Sequence, residues 1–324
     1  MRMILNKPLF IEPVLQEKIW GGTKLRDIYH YDIPSEKTGE CWAISAHENG
    51  MGHVLAPKEF QGISLAELFS TQPELFGNPQ VKEFPLLTKI IDAADDLSVQ
   101  VHPDDAYGLT HEGELGKTEC WYVIAADPGA EIVFGHTAQT KEEFIERIDK
   151  GEWDELLQSV KVNAGDFFFV PSGTIHAIGA GVMILETQQS SDTTYRVYDY
   201  DRKDDQGNVR ELHIQQAIDV TTIPHHVPAL TEKTEKIGDS EIKTLIESDY
   251  FNVFHGLIRN DVSLSQKNKY TLVSVLEGQG TIEIAGEEWP LTKGQHFILP
   301  ATVKEWKLSG HLDIISSTPG TKNN

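Results

Sequence analysis

The sequence predicts a mainly β protein made of two β-barrel modules in tandem, with a small helical insertion. Three observations lead there. Short β-type runs bounded by Gly, Pro, Asn or Asp recur along the 324 residues: CWAISA, FPLLTKIIDA, LSVQVH, ECWYVIAA, DFFFVP, VMILETQQ, YFNVFHGLI, YTLVSVLEG, GTIEIAG and HFILPA. Helical patterns are few. One pattern also occurs twice: Gly165 to Pro171 in GDFFFVPSGTIHAI and Gly294 to Pro300 in GQHFILPATVKEWKL each read as a turn glycine, a buried strand and a turn into the next strand.

Taken in order, SLAELFSTQPELF starts a helix at Ser64, a good N-cap with Glu67 three residues on. LSVQVHPDD alternates, with Leu97, Val99 and Val101 on one side and Ser98, Gln100 and His102 on the other. That is either a half-buried strand or a strand carrying polar groups into an enclosed site. TKEEFIERIDKGEWDELLQSV has a capping Thr140, an acidic first turn and a stripe of Phe144, Ile148, Leu156 and Leu157, so the helical insertion spans about 140–160. ELHIQQAIDV adds another turn or two of helix, and VSVLEGQGTIEIAGE reads as a hairpin with glycines at both turns. The joint between modules falls in 221–240, giving a catalytic domain over 1–235 and a C-terminal module over 236–324. The repeat register sets Glu305 where the first copy has His176, so the second module is degenerate and serves packing or an interface.

Composition narrows the function. Fifty acidic residues against 28 basic ones leave a formal charge of -22, which weighs against nucleic acid, since phosphate-backbone binding needs clustered Lys and Arg. Two cysteines, Cys41 and Cys120, form neither a disulfide framework nor a zinc motif, which fits a reducing, cytoplasmic compartment. Cys120 directly follows Glu119 and is expected to face the other way. The start, MRMILNKPLFIEPVL, reads as neither a signal peptide nor a membrane span. His225 and His226 lie between Pro224 and Pro228 and read as surface residues.

Gly165, Asp166, Pro171, Gly173 and His176 match the second motif of the cupin superfamily, small jelly-roll β-barrels in which that histidine meets ligands from an earlier strand pair. Gln100 and His102 supply an alternate-residue pair, and Glu119 in GKTECWYV supplies a carboxylate. Each residue alone has a structural reading. Together they make a metal set of two imidazoles, one carboxylate oxygen and one amide oxygen. Such a set suits a single Zn²⁺ per chain, and equally Fe²⁺, Mn²⁺ or Co²⁺.

The segments PLFIEPVLQEKIWGGTKL, GECWAISAHENG, FPLLTKIIDAADDLSVQVHPDD, GKTECWYV, PSGTIHAI and ETQQSSDTTYRVYDYDR resemble, in order, the signature segments of type I mannose-6-phosphate isomerases of the short bacterial form. The resemblance implies interconversion of mannose 6-phosphate and fructose 6-phosphate through a cis-enediol. It implies Gln100, His102, Glu119 and His176 as metal ligands and Arg196 as the active-site arginine, able to stabilise negative charge without acting as a base. Glu186 and Asp192 match acidic positions lining the family's pocket.

An anionic sugar phosphate needs cations, and here these are few. Lys117, two residues before Glu119, shares its face; Ser98 is in line with Gln100 and His102; and Lys89 sits in an apolar strand. These three are substrate-binding candidates, with surface snorkelling as the alternative for each lysine. Glu40 and Trp20 are candidates for the pocket rim, although core packing explains Trp20 equally well. The general base stays open among Lys117, Glu186, Asp192 and a metal-bound water. The partner is a small-molecule sugar phosphate, with no nucleic acid or membrane, and the chain is a monomer or weak homo-oligomer. Two other functions remain: another cupin metalloenzyme, such as an oxygenase or decarboxylase, and a non-catalytic sugar-binding cupin. Gln100 in place of a third histidine argues against the oxygenase, and the lack of a basic helix-turn-helix argues against a sensor.

Overall fold

The computed structural model describes residues 5–204, 206–230 and 232–323, and strands dominate it. The chain divides into two units that are discontinuous in sequence. One comprises Leu15–Glu40 and Ile90–Ala229; the other comprises Met1–Val14, Cys41–Lys89 and Leu230–Asn324. The last passage between them, at Ala229/Leu230, lies within the 221–240 stretch. A single cut at 235 nevertheless differs from this arrangement, because N-terminal strands complete the C-terminal sheet. Leu9 and Phe10 pair with Ile298 and Phe297, and Leu9 and Ile11 are buried apolar residues that would be left in water without that partner.

That C-terminal sheet runs Lys233–Ile237, Ser240–Glu247, Phe251–Arg259, Glu305–Pro319, Thr271–Ile284, His296–Leu299, Leu9–Glu12 and His53–Ala56. Of the two glycine turns predicted in VSVLEGQGTIEIAGE, the second forms, with Ala285 and Gly286 joining Thr271–Ile284 to Glu287–Thr292 in a hairpin, whereas the first lies inside one strand with a register shift between Val275 and Glu277. Gly278, at φ +88°, passes so close to the His311 carbonyl that a Cβ would lie 2.1 Å from it, so this glycine marks a bulge and not a turn. Ser64 caps Leu65–Thr71, with the Glu67 N–H donating to its Oγ at 3.2 Å.

The other unit holds the residues of interest, on β1 (Val99–Val101), α1 (Asp105–His111), β2 (Glu119–Ala126), β3 (Glu131–His136), α2 (Lys141–Lys150), α3 (Trp153–Leu156), β4 (Leu157–Lys161), β5 (Phe167–Val170), β6 (His176–Ile178), β7 (Val182–Gln189), β8 (Tyr195–Tyr198) and α4 (Ile214–Val220). One sheet has the order β8-β1-β6-β3-β4; β5-β2-β7 run side by side in the other. Helix α2 forms as expected, with Thr140 accepting from the Glu143 N–H and Gly151 closing it in the left-handed region. The insertion is shorter than predicted, since Leu157 leaves the helix to start β4. Val160 and Leu157 suit a strand paired to β3 as well as they suit a helix, and the tertiary pairing decides.

The five-stranded sheet is covered on both sides. Val99, Val101, Ala177, Tyr195 and Val197 pack against Phe144, Ile148, Leu156, Ala217 and Ile218 from the helices. Full burial of a side chain such as Phe144 stabilises the fold by about 2 kcal/mol. Leu97 departs from the expected alternation: it joins the separate core of Trp121, Val123, Phe134, Ile178 and Ile184, because regular pairing begins only at Val99. The repeat is reproduced in detail. Gly165 and Gly294 both have positive φ (+93° and +83°), the strands Phe167–Val170 and His296–Leu299 follow, and the next strands start at His176 and Glu305. Glu305 is exposed, whereas His176 is buried.

Candidate active site and metal centre

With Val99 and Val101 committed to the helix-covered face, Gln100 must point to the opposite one. Its cross-strand partners lie on that same face: Arg196 from β8 and His176 from β6, with Phe134 of β3 next to His176. The register of β8 slips between Arg196 and Tyr198, so Tyr198 falls opposite Val99 and packs on the helix side, while Arg196 stays in the row. On the other sheet, Val170, Glu119 and Gln188 form one row and Phe168, Trp121 and Glu186 the next row on that face.

His102, Glu119 and His176 come together with ligand atoms all within 4.8 Å of one another. His102 Nε2 lies 3.4 Å from Glu119 Oε2, and His176 Nε2 lies 3.3 Å from Glu119 Oε1. Both rings are oriented from behind. His102 Nδ1 is 2.9 Å from the Thr193 carbonyl and His176 Nδ1 is 2.8 Å from the Thr174 carbonyl. A carbonyl only accepts, so each Nδ1 carries a proton and each Nε2 faces the centre. Burial pushes the His176 pKa down to about 4, which keeps that ring neutral near pH 7. The Gln100 amide lies 3.4 Å from His176 Nε2, and an amide flip exchanges its nitrogen for its oxygen there. Two imidazoles, a carboxylate and an amide oxygen fit a borderline divalent ion such as Zn²⁺.

Around this core the carboxylates are held by other groups. The Trp121 indole N–H donates to Glu119 Oε1 and Glu186 Oε1, both at 3.1 Å. Lys117 is buried, with Nζ 3.5 Å from Glu119 Oε2. Burial works to lower its pKa, but Glu119, Glu186, Asp192 and Glu40 together outweigh burial and hold the ammonium above its ordinary value. Glu40 pairs with Lys18 at 3.3 Å. Asp192 lies on the turn that supplies the Thr193 carbonyl, and its backbone N–H donates to Glu114.

Arg196 is arranged as an open cation. Asp199 takes Arg210 through both oxygens (2.8 and 2.5 Å) and also Arg202 at 2.7 Å. That leaves Arg196 with Nη1 donating to the Glu211 carbonyl at 2.7 Å and its buried Nε without a hydrogen-bond partner among the described residues. Burial and the neighbouring Arg210 lower its pKa, but a guanidinium stays charged under such shifts.

The remaining candidates fall in several places. Ser98 is buried immediately before β1. Trp20 is a core residue packed with Trp121 and Ile91, so of its two readings core packing describes it. Lys89 belongs to the other unit, where it is buried with Nζ 4.3 Å over the Trp42 ring, which rules out a snorkelling surface lysine. Cys120 is one step off the Glu119 row, opposite Phe169 and Thr187, and is buried. His225 is half-buried against Gly135 and His136 instead of lying on the surface; His226 is exposed. Sequence reasoning missed the Trp121 indole, the Thr174 and Thr193 carbonyls and the Arg202–Asp199–Arg210 cluster. Backbone carbonyls carry no side-chain signal, whereas the arginines stand in the TYRVYDYDR segment and just beyond it, so their charge was a usable clue.

Comparison with known proteins identifies the family. The model of the phosphomannose isomerase type I catalytic domain matches residues 9–124, and that of the mannose-6-phosphate isomerase cupin domain matches residues 241–319. The mannose-6-phosphate isomerase of Streptococcus mutans is 57% identical over 97% of this chain and 98% of its own length. The crystal structure of the mannose 6-phosphate isomerase from Bacillus subtilis superposes with a TM-score of 0.94 at 47% identity, covering 96% of this chain and 99% of that one. A zinc-bound mannose 6-phosphate isomerase shares the fold at 15% identity, with a TM-score of 0.77 over 97% of this chain and 99% of that one. The chain belongs to the type I mannose-6-phosphate isomerase family.

Proposed function

We propose that this enzyme interconverts mannose 6-phosphate and fructose 6-phosphate through a cis-enediol, at a single divalent ion held by Gln100, His102, Glu119 and His176. The relatives' shared activity supports the reaction. The observation that carries the site is the row Arg196–Gln100–His176, which sets a fixed cation beside the converging Nε2 atoms and Glu119. Zn²⁺ at this donor set would act as a Lewis acid on the sugar's C1 and C2 oxygens.

The chain's own residues account for the rest. In the aldose-to-ketose direction a proton leaves C2 and one is returned to C1, while the O2 proton is given up and O1 gains one. Negative charge spreads over O1 and O2 in between. Arg196 lies beside that charge and stabilises it electrostatically, and with no carboxylate ion pair among the described residues it is available to do so. Lys117, held as an ammonium by four carboxylates, binds an anionic oxygen of the substrate and supplies a proton instead of removing one from carbon. Glu186 and Asp192 are then the carboxylates left to accept the C2 proton. Ser98 and Glu40 complete the substrate-side candidates of this unit. The same reading has the enzyme working in the cytoplasm as a monomer or weak homo-oligomer. Both cysteines are free and buried, and no described helix is long and apolar enough to cross a membrane.

Isomerisation in deuterated water tests the proton path. Solvent deuterium appearing at C1 of the fructose 6-phosphate formed supports the enediol; complete retention of the C2 hydrogen at C1 at every pH and temperature tested, where a base-held proton would exchange in part, points to an internal hydride shift and overturns it.

A further inference from the structure

We infer that Glu114 is a positioning residue of the metal centre: its carboxylate holds the Ser191–Thr193 turn and, through the Thr193 carbonyl, fixes the tautomer and aim of His102. The inference rests on the metal-site reading above.

His102 needs such a support. Strand β1 ends at Val101, and Pro103 follows with no backbone N–H to give. The His102 carbonyl accepts from the Gly173 N–H at 2.9 Å. The ring is aimed by its Nδ1 bond to Thr193, and that carbonyl stands outside any strand.

Glu114 organises this turn from the loop between α1 and β2. Its Oε2 accepts from the Ser191 hydroxyl at 3.0 Å, the Asp192 N–H at 3.0 Å and the Thr193 hydroxyl at 2.9 Å. Three donors from consecutive residues converge on one anionic oxygen, and charge-assisted bonds of this kind are about twice as strong as neutral ones. Behind the turn, the Ser191 carbonyl accepts from Gln188 Nε2 at 2.7 Å. A second carboxylate repeats the pattern: Asp105 Oδ1 accepts from the Gly116 N–H at 3.0 Å and Gln189 Nε2 at 2.8 Å, and the Thr118 N–H donates to Gln189 Oε1 at 2.9 Å. The segment carrying Lys117 and Glu119 and the turn that aims His102 are thus clasped together by two acidic side chains that touch neither the ion nor the sugar.

The test reads zinc release from the folded holoenzyme into excess chromogenic chelator, alongside thermal unfolding. Partners that orient a ligating histidine are worth 10- to 100-fold in metal affinity, so Glu114→Ala is expected to release zinc about 10-fold faster than the wild type. Glu114→Gln keeps a carbonyl acceptor for the same donors and is expected within about threefold of the wild type. In the apo forms, the downfield imidazole N–H resonance of His102 is expected in the wild type and lost to solvent exchange in Glu114→Ala. If Glu114→Ala does not fold, Ser191→Ala combined with Thr193→Val removes two of the three donors and is expected to speed release in the same way. Wild-type release rates in these variants, with only the melting temperature lowered, would make Glu114 a purely structural residue and overturn the inference. A wild-type protein that holds no zinc at all would instead overturn the metal-site reading, a distinguishable result.

Discussion

Gln100 and Arg196 lie directly opposite each other on neighbouring antiparallel strands, and His176 faces Gln100 from the other side. This register puts the amide proposed as a ligand between the His176 imidazole and a fixed positive charge. Ion and guanidinium would therefore bracket the same substrate oxygens, with no loop movement needed to bring Arg196 in. The bulge after Arg196 is what allows this, since it turns Tyr198 to the helix side without moving Arg196 out of the row.

Replacing Arg196 by Ala should separate ion binding from chemistry. The variant is expected to keep its ion and to lose about 100- to 1,000-fold in kcat, the usual cost of removing one charge-stabilising donor. Metal analysis beside steady-state kinetics checks both halves; a variant with normal kcat and only a raised KM would assign Arg196 to substrate binding.

His102→Ala and His176→Ala should each fail to retain the ion after gel filtration. Each removes one of two inward-facing Nε2 atoms from a buried centre whose other groups stay in place. Stoichiometric zinc in either purified variant would remove that histidine from the ligand set.

Lys117→Met should weaken catalysis through the substrate. The loss of one hydrogen bond to a charged group costs about 1.5–3 kcal/mol, or roughly 10- to 150-fold in kcat/KM. Kinetic constants equal to those of the wild type would take Lys117 out of the site.

The ion-free protein should lose stability on acidification because of His176. Its folded pKa of about 4 lies below the unfolded value near 6.5, so below pH 6.5 the unfolded chain binds more protons than the native one. Stability is therefore full above about pH 6.5 and falls as the pH drops toward 4, by an amount on the order of 3 kcal/mol. His296, buried in the other unit with a pKa pushed down to about 3, acts in the same direction. Chemical denaturation of the apoprotein across that window checks the slope, which should shrink in His176→Gln.

Much of the site was legible because alternation, the Gly165–His176 spacing and the GKTECWYV segment all concern residue types on regular strands. The turn glycines Gly165 and Gly294 announced the repeat, and both have the positive φ their position implies. What stayed hidden has a physical cause in each case. The N-terminal strand Leu9–Glu12 pairs on one side with His53–Ala56 and on the other with His296–Leu299, and no local pattern encodes that distant second partner. The Lys89 ammonium is buried over an indole, which periodicity cannot distinguish from a snorkelling lysine. Helices cover the apolar face of LSVQVH, and Ser98 and His102 on the polar face are buried as well, with Glu119 against His102, a property of the layers and not of the strand.

The most direct test of the central claim is mannose 6-phosphate isomerase activity before and after complete ion removal, followed by addition of individual divalent ions to the apoprotein. The account predicts that activity disappears with the ion and returns with one equivalent of Zn²⁺ per chain. Conversion that persists in protein shown to be free of metal would contradict it.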